Sequence, residues 1–182
     1  MLSVKKLTFL LTTLSVLLIV TGCKKNSAKV EISDLGFSMN LPSGWQLDTN
    51  DNTTFYERVK PDENWGLVAE FELEEDESLS DFIDTLLADE QEIYQQQKEM
   101  LKLMEEQTDE SEFTERKIVS KINRTISSYE AIVMISEADY SVIEVFIRKN
   151  DEVINVTFRT LKEDFSKYEP ALNKAIESIS IK

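Results

Sequence analysis

Histidine is absent from the chain, and Cys23 is its only cysteine. The first absence removes the commonest general base and the commonest neutral metal ligand. The second excludes an internal disulfide and every Cys-cluster metal site. Ser-His-Asp triads and Cys-His nucleophiles are therefore excluded before any motif is sought. Glycine and proline are also scarce, four and three in 182 residues, while 41% of the residues are hydrophobic. Such a chain is neither fibrous nor disordered, and its length suits one domain with a real core. Bases are outnumbered too, 20 against 35 acids, for a net charge of −15. Residues 72–115 hold seventeen acids against Lys98 and Lys102, so this window alone carries the excess. Nucleic acid, whose binding rests on neutralised phosphates, is not an expected partner. Charge-driven attachment to an anionic membrane is equally disfavoured.

A long apolar run occurs once. Lys5 and Lys6 precede fourteen uncharged residues, 7–20 (LTFLLTTLSVLLIV). A membrane span needs about 20, whereas fourteen is the length of a signal-peptide apolar region. Val20-Thr21-Gly22-Cys23 follows, and this segment resembles the lipobox of bacterial lipoproteins. The resemblance implies a signal peptide over 1–22, cut before Cys23, and a diacylglyceryl group (and hence palmitate-type acylation) on that thiol. Two acyl chains give stable anchoring at about 0.8 kcal/mol per buried methylene. Residues 23–29 then form the lipidated cysteine and a short polar tether.

Residues 30–182 read as one domain. Leu35, Phe37, Met39 and Leu41 alternate with polar or small residues, as a half-buried strand does. Pro42-Ser43-Gly44 supplies a turn, and Trp45 opens the next strand as a core residue. Two more strands are predicted over 53–60 and 66–74, with Leu67, Ala69, Phe71 and Leu73 on one face and Glu70, Glu72 and Glu74 on the other. From Ser78 the period becomes helical: Leu79, Phe82, Ile83, Leu86, Leu87, Ile93, Tyr94, Leu101 and Met104. Ser78 offers a cap and Asp81 a first-turn acid. This long acidic helix either projects through its QQQKEM half or breaks near Ala88-Asp89. Strands are predicted again over 113–123 and 128–136. In the hairpin SVIEVFIRK-ND-EVINVTFRT, a two-residue Asn150-Asp151 loop pairs Ile147 with Ile154, Val145 with Val156 and Ile143 with Phe158. Thr160-Leu161-Lys162-Glu163 has the pattern of a capping box. Phe165, Tyr168, Leu172, Ile176 and Ile179 form the stripe of a last helix, interrupted or kinked by Pro170. The order predicts an α+β fold, an antiparallel β-sheet flanked by helices.

The chain resembles the PsbP-like fold through GFSMNLPSGWQL (36–47) and VINVTFRTLKEDFSKYEPALNKAIESI (153–179). Its members include subunits attached to photosystem II, DcrB-like bacterial envelope proteins and a Ran-binding nuclear protein. The resemblance implies a binding and assembly module with no common catalytic site. It transfers architecture and no functional residues.

Candidate chemistry is sparse. Asp48, Asn50 and Asn52 begin like a calcium loop, but Thr53 stands where Gly is needed and Val59 where Glu is needed. Glu72, Glu74, Glu75, Asp76 and Glu77 could gather a hard cation, although strand and helix-start acids commonly just face solvent. No spacing selects a Ser-Lys or paired-carboxylate site, so neither catalysis nor a cofactor or metal is expected. Trp65, in the turn PDENWG, is a candidate interface anchor. The acids of the long helix, Glu92, Glu99, Glu105 and Glu106, are candidates for docking a basic partner. The expected function is that of a membrane-anchored extracytoplasmic lipoprotein, held in the lipid bilayer by acylated Cys23 and binding an envelope protein. The alternative is a small-ligand or cation-binding lipoprotein feeding a membrane transport system. A flat face bearing aromatics would favour the first; a deep apolar pocket with converging polar groups would favour the second.

Overall fold

The computed structural model describes residues 28–103 and 114–182. The apolar segment, Cys23, Glu105 and Glu106 lie outside these residues. Strands β1 (Lys29–Ile32), β2 (Phe37–Asn40), β3 (Trp45–Leu47), β4 (Thr54–Glu57) and β5 (Trp65–Glu72) come first, then helix α1 (Leu79–Leu103). Strands β6 (Lys117–Ile126), β7 (Tyr129–Glu137), β8 (Tyr140–Lys149) and β9 (Glu152–Leu161) follow, then α2 (Phe165–Glu177) and β10 (Ser180–Ile181). Seven strands form one antiparallel sheet in the order β3-β4-β5-β9-β8-β7-β6, and three form a second, β1-β2-β10. The α+β, antiparallel architecture is the expected one.

Opposite parities of the large sheet enter two separate cores. Ile143, Val145 and Ile147 on β8 and Ile154, Val156 and Phe158 on β9 face the small sheet and α2, where Phe37, Met39, Trp45, Leu172 and Ile176 close the main core. The β8–β9 register is the expected one, pair for pair, and Asn150 takes the positive φ (58°) that its two-residue loop needs. Trp45, Phe55 and Phe158 meet at 5.3–6.0 Å between ring centroids. On the other face, Leu79 and Ile83 of α1 are fully buried against Ile132, Met134, Phe146 and Val153, with Phe71 and Leu73 at the margin. Leu67 and Ala69 share that parity but are only half-buried, while Gly66 and Val68 enter the main core.

Helix α1 is continuous. Ser78 caps it, its Oγ accepting from the Asp81 N–H at 3.1 Å while its hydroxyl donates to the Asp81 carboxylate at 2.6 Å. There is no break at Ala88-Asp89; beyond Leu87 every residue to Met100 except Tyr94 is exposed, so the QQQKEM half projects. Pro170 sits inside α2, which runs through it as a single helix. Three expectations change. The strand placed at 113–123 runs from Lys117 to Ile126, and β1 and β10 join β2 in a sheet the sequence pattern had not indicated. Thr160 does not cap α2: it is the core-facing partner of Ser141 in the β8–β9 ladder, its Oγ1 is buried without a partner, and a 3-10 turn over Lys162–Asp164 precedes the helix. The strand continues because Phe158 and Thr160 extend its buried parity, and that outweighs the local capping pattern.

Candidate functional site

The α1-side face of the large sheet is only half covered. Contacts of α1 stop at Phe71, Leu73, Val153 and Phe146 on the inner strands and at Met134 and Ile132 on β7. The rest of the face, built by β4, β5, β9 and β8, carries Tyr56, Trp65, Leu67, Tyr140, Val142 and Arg159, all half-buried. Strand pairing sets them side by side: Tyr56 lies opposite Trp65, Trp65 opposite Arg159, and Arg159 opposite Val142. The Arg159 guanidinium carbon lies 3.4 Å from the Tyr140 ring centroid and 5.5 Å from that of Trp65. A planar guanidinium between two π faces gains roughly 0.5–1 kcal/mol per contact at a wet surface and is held in one orientation. The product is a rigid aromatic shelf presenting indole, phenol and cation together, the side-chain set that dominates protein contact surfaces.

Trp65, expected in a turn, opens strand β5, and the helix acids do not join it. Glu92 and Glu99 are exposed on the projecting half of α1, at the β6 side of the sheet, and Glu92 accepts from Gln96 Nε2 at 2.9 Å. Three strands separate β5 from β6. Tyr140 and Arg159 were not anticipated. The hairpin register does put Arg159 opposite Val142 on the face away from the core, so half of the shelf was available in the pattern. Its pairing with Trp65, 94 residues earlier, was not.

A second polar cluster lies where α1 crosses the start of β6. Arg116 donates to Glu144, to Glu90 at 2.5 Å and through Nε to Ser136 Oγ at 2.9 Å. Glu144 is only 8% exposed. Burial pushes its carboxyl above the ordinary carboxylate value, the Arg116 guanidinium pulls it back, and Glu90 adds to the rise. Gln91 donates to Glu115 at 3.1 Å and Lys121 to Asp84 at 2.6 Å, so a row of polar contacts holds the helix over the sheet edge. Between helix and strand is a cavity of about 310 Å³ lined by Leu87, Glu90, Gln91, Tyr94, Thr114, Arg116 and Ile118. Its cation is already shared between two carboxylates, so the cavity presents little net field to a ligand.

The loop from Asp48 to Thr54 closes on itself. Asp48 accepts from the Asn50 N–H at 2.8 Å, and Asp51 accepts from the Thr53 N–H and from both the Thr53 and Thr54 hydroxyls. Among the described residues, no three or more acidic or cysteine side chains are placed to share a metal ion. No described helix is long and apolar enough to cross a membrane.

No protein-family model matches the sequence, and no curated protein matches it. Solved structures do. Cyanobacterial PsbP (CyanoP) from Synechocystis is 10% identical, with a TM-score of 0.61 over 88% of this chain and 96% of that one. LpqN, involved in cell envelope biogenesis of Mycobacterium tuberculosis, is 10% identical, with a TM-score of 0.52 over 80% of this chain and 82% of that one. At these identities the likeness establishes the fold: the chain has the PsbP-like α+β architecture.

Proposed function

We propose that the protein is a non-catalytic binding module of the cell envelope, anchored in the membrane by an acylated Cys23, that takes a protein partner on the open half of its large sheet. The observation that carries this reading is the Trp65–Arg159–Tyr140 stack. A folded chain gains little by leaving two aromatic rings and an arginine half in solvent, whereas a partner that completes their desolvation gains a preorganised anchor. The fold shared with LpqN is compatible with an envelope role, and the lipobox-like segment supplies the address. The alternative, a small-ligand or cation carrier, would use the cavity beside Arg116. That cavity is modest and its one cation is already engaged by two carboxylates.

A photocrosslinking residue at Tyr140, introduced into the full chain in cells, tests the surface. The expected result is a discrete protein adduct that weakens on Arg159→Ala and does not form from exposed Ser166 on α2. Absence of an adduct at 140, or equal adducts from both positions, overturns the reading. Independently, Cys23→Ala is expected to abolish lipid labelling and release the chain from the membrane fraction; an unchanged membrane fraction overturns the anchor.

A further inference from the structure

Strand β6 is the outer strand of the large sheet, paired only with β7 among the described residues. It is ten residues long, against three for β3 at the opposite edge. Alternate residues of such a strand direct N–H and C=O groups away from the sheet. Ile118, Val119 and Ile122 are 37%, 54% and 46% exposed, half of the six large hydrophobic residues described as exposed. The strand KIVSKINRTI also carries Lys117, Lys121 and Arg124 and no acid, in a chain of net charge −15. Lys121 is paired with Asp84. Glu137, opposite Lys117, is engaged by Lys162 at 2.9 Å. Among the described residues neither Lys117 nor Arg124 has an acidic partner.

Lysines and bulges on an edge can serve to repel other strands, and β6 has an irregularity between Ile118 and Ser120. Such protection replaces apolar side chains with charge; here three aliphatic residues remain in solvent beside the charges. From Ser120 to Ile126 the pairing with β7 is regular, so seven residues offer a straight template.

We propose that Ser120–Ile126 is a docking edge that takes an extended acidic segment of a protein partner as an eighth strand of the large sheet. Backbone hydrogen bonds supply the attachment, and alternate side chains supply the choice. An aliphatic residue opposite Ile122 covers its exposed side chain, and a carboxylate opposite Arg124 pairs its guanidinium. This edge is separate from the Trp65 shelf and does not depend on the anchor.

The test uses the full chain held in detergent and an acetylated octapeptide in which valine and glutamate alternate along one face with serine at every other position, compared with its counterpart carrying lysine for glutamate. Amide shifts on titration are expected at Ser120–Ile126, saturable with the acidic peptide and about threefold weaker with the basic one, as reversal of the single cross-strand charge pair at Arg124 implies. Arg124→Glu, an exposed change that leaves the core intact, is expected to weaken the acidic peptide and strengthen the basic one. No binding of the acidic peptide, equal binding by Arg124→Glu, shifts that map outside β6, or self-pairing of two chains along β6 each overturn the proposal.

Discussion

Replacing Leu79 and Ile83 together by alanine tests whether α1 is a separable layer. Both side chains are fully buried, and with half-buried Phe82, Leu86 and Leu87 they pack the helix into the second core. Full burial of an aliphatic side chain contributes about 1.5–3 kcal/mol, so two full and three half burials give roughly 5–10 kcal/mol of gross docking energy. Each truncation to alanine costs about 2–5 kcal/mol, and one turn apart on one surface the two need not add. The double variant therefore removes most of what holds the helix down. The ion pairs Asp84–Lys121 and Glu90–Arg116 are largely exposed on the helix side and contribute about 1 kcal/mol or less each.

The main core lies on the other side of the sheet and contains none of these residues. Hydrogen exchange on the full chain is the assay. In Leu79→Ala/Ile83→Ala, the α1 amides are expected to lose protection while those of β8 and β9 retain it. Ile154→Ala, inside the main core, is expected to lower protection throughout. If the β8–β9 amides lose protection together with α1 in the double variant, the two cores are one cooperative unit and the argument from opposite strand parities is wrong.

Three further outcomes follow from single side chains. The folded-state pKa of Glu144 is raised, so between its unfolded and folded values the native state binds more protons than the unfolded chain. Stability from this group is then greatest below the unfolded value and falls as pH rises through the folded one. Glu144→Gln is expected to flatten the wild-type decline in urea stability over that mildly acidic window; identical pH profiles would count against the buried carboxylate. Thr160→Val is expected to raise stability by about 1 kcal/mol, because Thr160 Oγ1 is buried and unpartnered. A helix cap would lose about that much instead, so the sign of the thermal shift decides. At Gly66 an added Cβ would lie 2.3 Å from both a Phe55 ring carbon and the Thr157 carbonyl oxygen, so Gly66→Ala is expected to cost roughly 1–3 kcal/mol or more, read from the urea midpoint.

What could be read in the sequence was local. The Asn150-Asp151 hairpin came out in register because a one-residue slip would turn three of the six paired apolar side chains away from the main core. The same logic misplaces Glu144. It lies off the main-core parity, which in an antiparallel strand means solvent, yet α1 and Arg116 cover it. Whether a second face is covered is decided by an element more than 40 residues away, and no periodicity within β8 records it. The shelf was half legible for a related reason. Arg159 and Val142 follow from a two-residue loop, whereas Trp65 reaches Arg159 only because β5 inserts beside β9. A long-range ladder leaves no mark on the residues of either strand.

The exposed stripe of α1 sharpens this distinction. Ile93 and Met100 continue the helical spacing of Leu79 and Leu86, so by pattern they belong to one buried face. Ile93 is 54% exposed and Met100 56%. Periodicity states which residues share a side of the helix; burial also needs a surface beneath them. The helix begins over the interior strands and by Leu87 has reached Ile118 on the outermost one. Seven strands span about 29 Å, and α1 is about 37 Å long. A helix of that length starting inside the sheet overruns its edge: α1 still borders β6 at Tyr94, and the nine residues after it extend about 13 Å further. Sheet width and starting point, two quantities set by strand order, separate the buried half of the stripe from the half in solvent.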